Sequence, residues 1–283
     1  MVKLPISRSE RARGALLGHA CGSAAGRASA APGAEVEMAL ILGEWVADGG
    51  SDARTLLDRW LGWARQDGQG LDAWTRAALE RYGERHRPPT RMEAAGQAGS
   101  GAVARALPVA LATLGSPRNL LSATLHTAEL THPAPEAAWP AVAVNVAAHC
   151  LLLGQRDFIP EVIAALEMQV DVPLEILAAV RRVPFERREE LASGECPAES
   201  AIRTMELALW CAHHEHSLER ALQWLADLDG EAGIRAAVAG GLLGARDGDG
   251  AIPAPWLAAL AQRERILALA ERLTGATSDS SRA

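Results

Sequence analysis

Alanine occupies 58 of the 283 positions, and no other feature of the chain narrows its fold as much. Alanine is the best helix former, whereas strands are built from β-branched and aromatic residues. Aromatics supply only 4% of this sequence, so an all-α protein follows. With 49% hydrophobic and 22% charged residues the chain can bury a core, which excludes bulk disorder.

The net charge is −7, carried against 27 arginines and a single lysine, Lys3. No basic stripe is present, which argues against a nucleic-acid partner. Arg181–Arg182 and Arg187–Arg188 are offset by Glu186, Glu189 and Glu190 and read as a solvated helix end or loop. Cys21, Cys150, Cys196 and Cys211 show neither close pairing nor a zinc spacing, so reduced, mostly buried thiols in a cytoplasmic protein are expected. The start is polar, and no signal peptide is expected. The most apolar stretch, 137–154, is interrupted by Pro140, Asn145 and His149, so it reads as a core helix and not a membrane span.

Periodicity predicts helices over 10–26, 36–48, 53–66, 71–85, 102–114, 119–130, 135–153, 159–169, 173–183, 199–213, 218–228, 234–245 and 254–273. The inner face of the first is small: Ala12, Ala15, Leu16, Ala20 and Ser23. In the helix over 234–245 one buried stripe runs through Ile234, Ala237, Val238, Gly241, Leu242 and Ala245. Small faces let helices approach closely, so these two are expected at the centre. Connections are short and no fixed-period repeat appears, which gives one domain over 8–273 and a frayed polar tail over 274–283.

Four clusters carry possible chemistry. Gly99–Ser100–Gly101 opens onto a helix, where it is either a plain glycine turn or a backbone cradle for phosphate. Asp229–Gly230–Glu231 precedes the helix over 234–245 and either caps it or holds a hard cation. Glu35 and Glu37 pose the same choice at another helix start. His213, His214 and His216 lie at a helix end, a place that favours solvent-facing histidines over metal ligands. His132, in Thr131–His132–Pro133, taken alone is a turn residue.

Taken in order, these segments resemble a known family. Arg11–Ala12–Arg13–Gly14–Ala15–Leu16–Leu17–Gly18, continuing to Gly22 and Gly26, is similar to the opening helix of the ADP-ribosylglycohydrolases. That family includes the enzyme that removes ADP-ribose from dinitrogenase reductase. Met38–Ala39–Leu40 resembles the start of its next helix. Gly99–Ser100–Gly101–Ala102 through Arg105 and Pro108 resembles its ligand loop, and Thr131–His132–Pro133 its short threonine-histidine-proline turn. Residues 236–246, then Ile252–Pro253 and Trp256, resemble its C-terminal block.

The resemblance implies an orthogonal all-α domain with a cleft for ADP-ribose, in which two Mg²⁺ ions on two acidic motifs assist hydrolysis of a glycosidic bond at the ribose. Here those motifs fall on Gly33–Ala34–Glu35–Val36 and on Glu231–Ala232–Gly233–Ile234, each with one carboxylate. Ser23 stands where relatives carry another acid, and the segment after Gly26, which in relatives brings a catalytic glutamate and a lid, is short. No bound metal or other cofactor is therefore expected, although active relatives use Mg²⁺. The implied ligand contacts are Gly99, Ser100, Gly101 and His132, and the implied partner is an ADP-ribose-like molecule or an ADP-ribosylated protein. Three readings stay open: a member without hydrolysis that retains at most nucleotide-like ligand or protein binding, a hydrolase with one retained cation or none in which Glu35 and Glu231 converge across the cleft, or a structural or partner-blocking protein whose cleft is vestigial.

Overall fold

The computed structural model describes residues 5–26, 33–94, 96, 98–193, 200–228 and 230–279. Among them are sixteen α-helices and no strand. The first half comprises α1 (Arg8–Gly26), α2 (Ala34–Ala47), α3 (Ala53–Asp67), α4 (Ala73–Arg85), α5 (Gly101–Arg105), α6 (Leu107–Ala112), α7 (Leu120–Glu129) and α8 (Pro135–Leu152). The second half comprises α9 (Ile159–Glu167), α10 (Leu174–Arg182), α11 (Arg188–Ser193), α12 (Ala201–His214), α13 (Leu218–Ala226), α14 (Ala232–Asp247), α15 (Ala254–Ala259) and α16 (Arg263–Asp279). No described helix is long and apolar enough to cross a membrane.

At the centre α1 and α14 run antiparallel and touch backbone to backbone. The faces in contact are rows spaced by four: Gly14, Gly18, Gly22 and Gly26 on α1 against Gly244, Gly240, Ala236 and Ala232 on α14. A Cβ on Gly18 would lie 2.2 Å from the carbonyl oxygen of Gly240, and one on Gly240 would lie 2.2 Å from that of Gly18. Only glycine allows this approach. These are not the faces that periodicity singled out. Both helices are buried nearly all round along the crossing, so hydrophobicity marks no single side and the seam belongs to the residues with least side chain. Helix α8 is also enclosed beyond its first two residues, with every residue from Ala137 to Leu152 buried.

A second apolar cluster joins α2, α3 and α4 through Trp45, Trp60 and Tyr82. The Trp60 indole N–H donates to the Met38 carbonyl at 3.1 Å and pins α3 under α2.

Three boundaries differ from expectation. The helix over 102–114 is two helices, α5 and α6, meeting at Ala106. Pro108 has no N–H to offer the Ala104 carbonyl, and that oxygen instead accepts from Nε2 of the buried His19 at 2.7 Å. Nδ2 of Asn145 takes up the Ala106 carbonyl at 2.9 Å. The final helix likewise divides at Leu260, whose ψ of 104° is extended, and α16 then continues to Asp279. Finally, a short helix, α11, forms over the arginine-glutamate stretch that reads as a helix end or loop.

Candidate functional site

The α1–α14 seam fixes the site's position. Gly22 and Gly26 lie against Ala236 and Ala232, so the end of α1 sits beside the start of α14. One residue past Gly22, the buried Ser23 hydroxyl donates to Glu35 Oε1 at 2.6 Å and accepts from the Gly33 amide at 2.8 Å. Glu35 is itself buried in the first turn of α2, where the helix dipole favours a carboxylate. Glu37 turns the other way and pairs with Arg265 Nη1 at 2.6 Å and with Gln262 Nε2 at 2.8 Å. The two glutamates therefore do not form one ligand pair.

Ser100 ends its loop fully buried, and its hydroxyl donates to Glu231 Oε2 across 131 residues of sequence. Glu231 occupies the N-cap position of α14 without a side-chain capping bond. Asp229, the neighbouring acid that sequence spacing offered as a partner, lies outside the described residues.

The glycines flanking Ser100 are explained by protein contacts. A Cβ on Gly101 would stand 2.5 Å from Asp72 Oδ2, 2.7 Å from Thr75 Oγ1 and 2.8 Å from His132 Cε1. On Gly99 it would stand 2.6 Å from Trp74 Cδ1. Substitution at Gly101 therefore perturbs packing directly, whatever the loop binds.

Behind this loop lies a buried polar network that sequence reasoning missed. Arg105 Nη1 donates to the Gly101 carbonyl at 2.7 Å and its Nη2 to the Thr131 hydroxyl, while the guanidinium stacks 5.0 Å from the Trp60 ring centre. The Thr131 hydroxyl donates in turn to Nδ1 of His132 at 2.9 Å. That bond assigns the ring proton to Nε2, which faces Asp72 Oδ1 at 3.7 Å, too far for a hydrogen bond. Burial pushes His132 down to about 4 and Arg105 down to about 10. Asp72 ionises below the usual carboxylate range: burial opposes this, but His132, two hydrogen bonds from Thr75 and Arg105 outweigh it. The neutral histidine and ionised aspartate therefore coexist at neutral pH. Asp72 also caps α4, accepting from the Thr75 amide at 2.7 Å. An aspartate three residues before a threonine was the available signal, obscured by starting the helix at Leu71.

Among the described residues Glu35, Met38, Asp72, Gly101, Arg105 and Ile234 line a cavity of about 10 Å³ beside these carboxylates. That is space for one water at most. A paired Mg²⁺ centre does not fit this donor set. Hard cations need several converging oxygens, whereas Gly33, Ala34 and Gly233 offer no side-chain oxygen and the two carboxylates at the motif positions, Glu35 and Glu231, each accept a hydroxyl proton from a serine. Among the described residues no group of three His, Cys, Asp or Glu is placed to hold a metal.

The other candidates act in packing. His213 meets Phe158 edge-on at 6.3 Å, and His214 donates from Nε2 to the Val183 carbonyl at 2.9 Å. Cys21, Cys150 and Cys211 are buried free thiols, and burial raises all three, the first two to about 11, so they stay protonated. Cys196 lies outside the described residues.

Comparison with known proteins places these features in context. The family model for ADP-ribosylglycohydrolase matches residues 4–283. A curated relative, ADP-ribosylarginine hydrolase Tri1 of Serratia proteamaculans (strain 568), is 29% identical over 253 residues, which cover 84% of this chain and 66% of the relative. The chain thus spans just under two thirds of that relative's length. A solved structure described as an ADP-ribosylglycohydrolase-related protein complex superposes with a TM-score of 0.79 at 30% identity, covering 96% of this chain and 99% of that one.

Proposed function

Because the chain belongs to the ADP-ribosylglycohydrolase family, we propose that it is a member that has exchanged two-metal hydrolysis for a closed, serine-latched groove and acts through binding. One observation carries this reading. The two carboxylates at the metal-motif positions are each bonded by a serine hydroxyl, and the cavity that the described residues of α2, α5, α14 and the turn before α4 enclose beside them is about 10 Å³. Ligand sites for molecules of drug or nucleotide size occupy about 300–1,000 Å³, so ADP-ribose enters only if the groove opens. A carboxylate that accepts a serine proton is also a weaker base for activating water, and among the described residues no group of three His, Cys, Asp or Glu is placed to hold a cation.

The name of the Serratia relative supplies the substrate to try, an ADP-ribosylated arginine. Release of ADP-ribose from an arginine-modified protein is followed with millimolar Mg²⁺ and with chelator, alongside thermal unfolding under both conditions. The expected result is no release above background and no shift in Tm, because a ligand bound at 100 times its Kd would stabilise the protein by about 2.7 kcal/mol. Mg²⁺-dependent release overturns the reading. Mg²⁺-independent release that disappears in Glu35→Gln and Glu231→Gln replaces it with two-carboxylate hydrolysis.

A further inference from the structure

Independently of the groove, two neighbouring turns among the described residues leave large apolar side chains exposed. The turn between α9 and α10 presents Met168, Val170 and Leu174, each more than four-fifths exposed. Beside it the turn over 90–94 presents Met92, also more than four-fifths exposed. Arg91 joins the two turns, donating to Asp171 at 3.3 Å and to Glu129 at 2.9 Å. The smaller turn is itself held, since Glu93 accepts from the Thr90 amide at 2.9 Å and from Arg85 and Arg87, both at 2.9 Å. Four large apolar side chains thus stand on fixed backbone, which lowers the ordering cost of any contact they make.

We propose that this surface is a two-fold interface between two copies of the chain. Its apolar centre offers roughly 240–480 Å² of side-chain surface, a fitting core for the ~800 Å² per partner that a stable pair buries. Its rim favours a copy of itself. Arg91 is paired with Asp171 and Glu129, and Arg181 with Glu167. A two-fold contact sets each patch against its own duplicate, so a rim of one sign would repel itself, while this mixed and internally paired rim does not. The carboxylates at the tip oppose an anionic lipid surface.

Sedimentation velocity of the full chain from micromolar to several hundred micromolar tests the proposal. Wild type is expected to form dimers, and Val170→Asp with Leu174→Asp to raise the dissociation constant about 100-fold or more. Both positions are exposed, so circular dichroism and the Tm of the variant monomer should show the fold intact. A wild type that stays monomeric throughout overturns the proposal, as does a dimer that survives the double substitution. Cosedimentation of monomeric wild type with anionic vesicles, lost in the double variant, would assign the surface to lipid and also overturn it.

Discussion

Gly18→Ala is the most direct probe of the central crossing, because the same exchange in an open helix should stabilise the protein. Alanine is favoured over glycine within a helix by up to about 1 kcal/mol. At Gly18, however, the new Cβ lands 2.2 Å from the Gly240 carbonyl oxygen and 3.0 Å from its carbon. Both obstructing atoms are backbone, so no rotamer change relieves the contact. The helices must part by about 1 Å in an interior packed at crystal-like density. Overpacking of this kind costs about 1–3 kcal/mol, and a rigid backbone seam belongs at the upper end, which leaves a net loss of roughly 2 kcal/mol after the propensity gain. Gly62 in α3 is the control, since nothing lies within 4 Å of the Cβ it would gain. Gly62→Ala should stabilise by about 0.5–1 kcal/mol. Urea unfolding followed by far-UV circular dichroism measures both. A Gly18→Ala protein as stable as wild type, or shifted in the same direction as Gly62→Ala, would refute the backbone-seam account.

Two further outcomes follow from the network behind the loop. His132 ionises near 4 in the folded protein, below its unfolded value of about 6.5. As pH falls the unfolded chain therefore takes up the proton first, so stability is full above about 6.5 and declines by roughly 3 kcal/mol down to about 4. Denaturation midpoints across that range should show the slope reduced in His132→Gln. His19, His149 and His213, all lowered by burial in the same direction, contribute to what remains of it. Asp72→Ala removes the α4 cap and the acid nearest Arg105 and His132, and should cost roughly 2–3 kcal/mol in urea unfolding. A loss no larger than that of an ordinary surface cap, about 1 kcal/mol, would mean that Asp72 does nothing beyond capping.

Much of this architecture is legible from local chemistry, and its failures are instructive. Alanine content and apolar spacing reveal the helices because each helix carries its own signal. Pro108 was visible inside the helix read over 102–114, but proline is tolerated in a helix's first turn, so the choice between one helix and two depended on His19 being there to donate to the freed Ala104 carbonyl. Nothing comparable marks Leu260, whose break has neither glycine nor proline beside it. Glu35 and Glu231 were identifiable as acids at helix starts. Their serine partners were not, since Ser100 and Glu231 are joined only by tertiary structure. Arg105 escaped notice as the anchor of a network because arginine is ordinarily a surface residue, and its burial shows only once Trp60, Thr131 and Gly101 surround it.

The same geometry explains how such a groove can change while the fold endures. What holds α1 to α14 is a row of backbone contacts running from Gly14 to Gly26, and no side chain lining the groove contributes to it. Ser23, Glu35 and Glu231 hang from the end of that seam, where exchanging an acid for a small residue leaves the crossing untouched. Arg105, His132 and Asp72 have no such freedom. They support the Gly99–Gly101 loop from behind, and Asp72 and His132 lie within 3 Å of the space a Gly101 Cβ would need. Loss of an acid at the groove leaves the α1–α14 contacts in place and deprives one buried serine hydroxyl of its acceptor, whereas loss of a member of the network leaves a buried charge without its partner.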